Sequence, residues 1–325
     1  MKHELNDFAR SLAGKVPIEW QDNWHTFTKK GISWVESADS RRIVVQHLAK
    51  LDLGVYLPWL NLAKQASQSS AYKSTVVYEG YCLTLESTLT SITTLMLLTQ
   101  GKWFEKEIEF CRQLLQPGMV VFDVGANVGV YTFLAARCVG TTGRVYAIEP
   151  TPDCNACLKS TVVDNQLDSC VFPIQAAVGS KLGQVFLVFN RSSVFNQIVT
   201  DQVAVGRRHV TVEQITLDNL WESEKKPRVD LIKIDVEGAE LQVLQGAEQL
   251  LRNLQPIVMF ENRQGEKITG AEPAKFLAAL GYQFYTYDRY QATLKRVDPI
   301  TQRLNVLNMI AVSAARRKSL PFNLC

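Results

Sequence analysis

The stretch VVFDVGANVGVYTFLAARC, residues 120 to 138, decides the fold. A β-rich run ends at Asp123, a glycine turn follows from Gly125 through Asn127 to Gly129, and a helical pattern opens with Val130, Tyr131 and Thr132. Glycines in such a turn let the backbone approach a ligand, and the start of a helix offers N–H groups. Twenty residues beyond Gly129 a second β-rich run ends in Glu149. That position suits a carboxylate accepting hydrogen bonds from both hydroxyls of a ribose.

What the turn lacks narrows the ligand. A nicotinamide-binding fold uses G-x-G-x-x-G so that a pyrophosphate can lie against the helix start. Here Asn127 takes the place of the middle glycine and Val130 and Tyr131 follow, so no phosphate nest is completed. Asp123 adds a negative charge just before the turn, which suits a cationic ligand. S-adenosylmethionine carries a sulfonium and an ammonium and no phosphate. In this reading Gly125, Asn127 and Gly129 shape its loop, Asp123 supports its methionine end and Glu149 holds its ribose. The turn alone is also what an ordinary strand-to-helix loop looks like, and the acid on the next strand separates the two readings.

Outward from this unit, β-rich runs alternate with helical stretches: Met119–Asp123, Arg144–Glu149, Cys170–Gln175, Val229–Asp235 and Ile257–Glu261. Their near-continuous Val, Ile, Phe and Met content is that of strands covered on both faces. The later runs Gln283–Asp288 and Val306–Val312, joined by a polar segment, permit an antiparallel hairpin at the edge. The expectation is an α/β, Rossmann-like, seven-stranded and mostly parallel sheet in the order 3-2-1-4-5-7-6. An insertion at residues 179 to 228 carries a further strand pair between 184 and 215, placed near the pocket mouth. Residues 1–74 read as a mainly helical region, a substrate lid or a dimerisation surface, with tryptophans at 20, 24, 34 and 59 as packing or interface residues. Residues 75–325 then form the second unit, entered through strand-like Thr75–Leu85.

The 325 residues are 46% hydrophobic with a formal net charge of +3, which excludes a largely disordered chain and lacks the basic excess of a dedicated nucleic-acid binder. The most apolar run of the first third, Leu89 to Leu98, is about half of the roughly 20 residues a membrane span needs. The N-terminal MKHELNDFAR has no apolar core, so a cytoplasmic location is expected and the seven cysteines read as thiols. Cys154 and Cys157 lack a second pair for a four-thiolate zinc site and fall in a helical stretch.

FDVGANVGVYT, AIEP, AAVGS, ITLDNL and DLIKIDVEGAELQVLQGAEQLL, in this order, resemble the FkbM-type S-adenosylmethionine-dependent methyltransferase family over roughly residues 98 to 313. The resemblance implies a class I methyltransferase domain that methylates hydroxyl oxygens on sugars, glycolipids, polyketides or other natural products. It leaves the acceptor unnamed.

Methyl transfer to an alcohol calls for a collinear approach and a base for the hydroxyl proton. Asp235, at the end of the fourth parallel strand, is the first candidate for that role and for cofactor contact, with Glu237 and Glu261 orienting it or the acceptor. A helix cap is the alternative for Asp235, in a helix expected over Val236–Leu251, and a first-turn carboxylate the alternative for Glu240. His209, the one histidine after residue 47, is a further base candidate or a strand-surface residue. The carboxylates with Asn262 would alternatively hold Mg²⁺, a reading ranked below the metal-free one. A nicotinamide-dependent oxidoreductase and a non-catalytic nucleoside-binding module stand as competing functions.

Overall fold

The computed structural model describes residues 74–86, 93, 94, 97, 103, 105–188, 197–199, 209–262, 271–302, 304, 306–318 and 320–324. The expectations for residues 1–73, the helical lid or dimer surface and its four tryptophans, lie outside them.

The parallel core is built from β3 (Val120–Val124), β4 (Arg144–Ile148), β5 (Val171–Ile174), β10 (Leu231–Ile234) and β11 (Ile257–Glu261). The helices α2 (Val130–Val139) and α3 (Pro152–Asp164) follow β3 and β4. Beyond β11 the sheet turns antiparallel through β14 (Asn308–Ser313) and β12 (Tyr282–Asp288). The order β5-β4-β3-β10-β11-β14-β12 is the expected 3-2-1-4-5-7-6 arrangement.

Side chains alternate between the two faces of each strand. Val121, Val145 and Leu231 pack with α2, α3 and the preceding helix α1 (Glu107–Leu114). Val120, Phe122, Ile148 and Ile232 face α4 (Leu217–Ser223), α5 (Glu240–Gln245), α6 (Glu248–Leu254) and α7 (Glu272–Ala279). Two polar residues share the first face: Lys233 lies in register with Asp123 on the adjacent strand.

Four expectations are corrected. The sheet has nine strands, because β13 (Thr293–Val297) pairs with β12 and β15 (Asn323–Leu324) with β13. The turn into β13 is fixed by Asp288, which accepts from the N–H groups of Tyr290 and Gln291 and pairs with Lys295 at 2.6 Å. The run Thr75–Leu85 is a hairpin, β1 (Ser74–Tyr78) and β2 (Tyr81–Leu85), because Glu79 and Gly80 both adopt positive φ at its tip. It docks on α3, where Thr84 N–H donates to Thr161 Oγ1.

The insertion is more than a strand pair. Strands β7 (Gly183–Val188) and β9 (His209–Ile215) are antiparallel neighbours, and β6 (Ala177–Val178) and β8 (Gln197–Val199) complete a separate four-stranded sheet. The helix expected over Val236–Leu251 is two short helices that meet at Gly246 and Ala247, where a side chain on Gly246 would collide with the Gly179 carbonyl. The last short helix is α8 (Ala314–Arg317). Among the described residues no helix is long and apolar enough to cross a membrane, and no disulfide joins the cysteines.

Candidate functional site

A doubly wound sheet leaves a crevice where its strand order reverses. Here that point lies between β3 and β10, at their carboxyl ends. A cleft of about 880 Å³, part of it open to solvent, is lined there by Gly125 and Asn127 after β3, Glu149 after β4, and Asp235 and Glu237 after β10. Leu187 of the inserted sheet reaches the same wall, as do Thr93, Trp103 and Glu105 from before the first parallel strand.

The glycine loop is held from within. Gly125 N–H and Ala126 N–H donate to the Ile148 carbonyl at 2.9 and 3.1 Å, and Asn127 N–H to Glu149 Oε2 at 2.9 Å. Val128 N–H donates to Asn127 Oδ1 and Gly129 N–H to the Ala126 carbonyl. Every N–H from 125 to 129 thus has an acceptor inside the protein, and none is left over for a pyrophosphate.

The glycines themselves serve packing more than the sequence reading assumed. Gly125, at φ 77°, brings the loop against the Asp235 carbonyl, which a Cβ would strike. Gly129, at φ 100°, makes room for the Phe133 ring and the Leu158 side chain and does not line the cleft.

Glu149 is buried, and its Oε1 accepts from Thr151 N–H at 2.8 Å. Burial pushes its carboxyl above the usual range, with the hydrogen bonds from Thr151 and Asn127 working the other way. A carboxylate has about four acceptor positions, so these bonds, with a further one from the Thr151 side chain, leave capacity toward a ligand.

Asp123 does not reach the cleft wall. It is buried, accepts from Thr132 Oγ1 at 2.6 Å, and faces the Lys233 ammonium at 3.5 Å. Lys233 was missed by the sequence reading. It lines the cleft, donates to the Gly125 carbonyl at 3.1 Å, and lies 3.5 Å from Asp235. Burial opposes its charge, but Asp235, Asp123 and Glu105 outweigh burial and hold the ammonium well above lysine's usual range.

After β10 the chain is not yet helical. The capping position of α5 is Ala239, so Asp235 is not a helix cap. Glu237 adopts φ 56° and Gly238 φ 106°. A left-handed non-glycine residue costs about 1–3 kcal/mol, a strain that concentrates at functional sites. Asp235, Glu237 and Glu261 bring carboxylate oxygens within 4.8 Å of one another. Glu261 closes β11 beside the cleft but is not part of its wall.

Three other candidates lie elsewhere. Glu240 accepts from Gly238 N–H and secures the turn. Asn262 donates to the carbonyls of Leu304 and Val306, tying down the segment before β14. His209 is exposed at the start of β9, edge-on to Phe186 at 5.1 Å, and does not line the cleft.

Residues 123–284 match the family model described as the methyltransferase FkbM domain. Among curated proteins the chain is 29% identical over 140 residues to the hexuronic acid methyltransferase AglP of Haloferax volcanii, covering 43% of this chain and 54% of that protein. It is 27% identical over 166 residues to the methyltransferase sdnD of Sordaria araneosa, covering 41% and 64%. The chain therefore spans less than two thirds of the length of either relative. A solved structure of methyltransferase FkbM from Methylobacillus flagellatus KT is similar at 14% identity and a TM-score of 0.41, covering 80% of this chain and 60% of that one. The blocks at the ends of β4 and β10 fall inside the matched region, as does the block after β3 from Asp123 onward, and residues 123–284 of the chain form a methyltransferase FkbM domain.

Proposed function

We propose that the cleft binds S-adenosylmethionine and that the protein transfers its methyl group to a hydroxyl oxygen of a sugar, glycolipid or polyketide or peptide natural product. One observation carries the reading: among the described residues the cleft wall presents four carboxylates, Glu105, Glu149, Asp235 and Glu237, against one ammonium, Lys233, while the loop N–H groups are consumed internally. Such a wall favours a cation and disfavours a pyrophosphate. S-adenosylmethionine fits, with Glu149 placed for its ribose.

When bound, it supplies an electrophilic methyl on a sulfonium. The chain's task is to hold an acceptor hydroxyl in line with that methyl and to take its proton. Asp235 is the group placed for the proton, at the cleft wall and beside the glycine loop. Glu237 and Glu261 surround it and orient the acceptor. A hydroxylated carbohydrate is the first acceptor class to try, since one relative is named a hexuronic acid methyltransferase.

The test is incubation with S-adenosylmethionine and either uronic acid glycosides or host extract, followed by mass spectrometry. The expected result is a gain of one CH₂ unit on a hydroxylated compound, dependent on both protein and cofactor. Binding of S-adenosylhomocysteine without any methylated product would instead mark a non-catalytic module.

A further inference from the structure

We propose that Glu105 and Lys233 form a subsite for a zwitterionic α-amino acid group, Lys233 taking its carboxylate and Glu105 its ammonium. The proposal rests on the reading of S-adenosylmethionine as ligand and names the side chains that hold its amino acid end.

The charge of the wall calls for such a pair. Carboxylates alone would attract the sulfonium and ammonium but repel the ligand's own carboxylate. Lys233 is the one cation among the described residues that line the cleft. Its ammonium is buried, yet its distances of 3.5 Å to both Asp123 and Asp235 exceed the roughly 2.7–2.9 Å of a direct charge-assisted hydrogen bond. It pairs with both acids at that longer distance, and its shortest contact, 3.1 Å, is to the Gly125 carbonyl.

Glu105 supplies the opposite sign on the same wall, and Tyr131 fixes both members. The Tyr131 hydroxyl donates to Glu105 Oε2 at 2.6 Å, and its ring lies 5.3 Å from Lys233 Nζ. Asn308 Nδ2 donates to the same carboxylate oxygen at 3.1 Å. Glu105 is buried, its charge helps to keep Lys233 protonated, and it lies upstream of the matched domain, which begins at residue 123. Glu149, the ribose candidate, follows β4, so the two ends of the ligand fall to different elements around Gly125.

Calorimetry with two probes decides the matter. S-adenosylhomocysteine carries the amino acid end, whereas 5′-methylthioadenosine keeps the nucleoside and thioether without it. Lys233→Met and Glu105→Gln should each weaken S-adenosylhomocysteine about 10- to 100-fold, the range of a lost charged hydrogen bond, and leave methylthioadenosine within about 2-fold. Lys233→Arg should restore part of the preference. Variants that weaken both probes alike, or neither, overturn the subsite. Should Lys233→Met fail to fold because Asp123 is left unpaired, Asp123→Asn/Lys233→Met removes the orphaned charge and is read in the same way. A wild-type protein that binds neither probe overturns the cofactor reading itself, an outcome distinct from the loss of the subsite.

Discussion

The main-chain oxygen of Asp235 occupies the space that a Cβ on residue 125 would need, so the glycine loop and the acid at the end of β10 meet backbone to backbone. Gly125→Ala must therefore relieve a collision and also adopt φ 77°. Each costs roughly 1–3 kcal/mol. Chemical denaturation should show a loss of about that sum, and calorimetry should show S-adenosylhomocysteine binding abolished. A variant of wild-type stability would mean that the loop can move away from β10.

Glu149 works in two directions, anchoring the loop through Asn127 N–H and Thr151 N–H and facing the cleft. Glu149→Ala and Glu149→Gln should both weaken S-adenosylhomocysteine by about 10-fold or more, since a hydrogen bond to a charged acceptor contributes about 1.5–3 kcal/mol. Glutamine is no rescue, because its amide nitrogen would meet one of the two N–H groups. Unchanged affinity in calorimetry would remove Glu149 from the site.

Glu107, on α1, is buried with one carboxylate oxygen lacking a hydrogen-bond partner. Burial pushes its carboxyl up to about 7, with Lys106 working the other way and Glu105 adding to the rise. A carboxyl raised in the folded state favours folding most where it is protonated. Stability should thus fall as pH climbs from the unfolded value near 4.5 through about 7, then level off. The amplitude is about 3 kcal/mol. Glu107→Gln should flatten this slope in urea denaturation series and be the more stable protein at about pH 8. An unchanged slope would place the titration elsewhere.

Asp235→Asn should bind S-adenosylhomocysteine nearly normally and lose about 10²–10⁴ in methyl transfer, the usual effect of removing a positioned base. Wild-type rates would end the base assignment. If EDTA abolishes activity and Mg²⁺ restores it, the carboxylates of Asp235, Glu237 and Glu261 serve a cation and the metal-free route is wrong.

The parallel core was legible because strands covered on both faces read as apolar runs bounded by turns. LIKI in β10 contained the main omission: a lysine inside an otherwise apolar buried strand needs a buried anion, and Asp123 on the neighbouring strand is that anion. Read alone, Asp123 looked like a ligand group; paired, it stands behind Lys233. Glu105 could not be assigned from its local pattern, since nothing within a few residues shows that Tyr131 and Asn308 converge on it. Strand β13 was hidden because the adjacent, exposed Lys295 and Arg296 interrupt its apolar pattern on both faces. Gly246, where the two short helices meet, packs against the distant Gly179 carbonyl, a contact no helical period registers.

The most direct test of the account is a side-by-side calorimetric titration of the wild-type protein with S-adenosylhomocysteine and NADH. A cleft walled by four carboxylates, with no loop N–H left for a phosphate, predicts saturable binding of S-adenosylhomocysteine and none of NADH. Saturable binding of NADH, or no binding of S-adenosylhomocysteine, would contradict it.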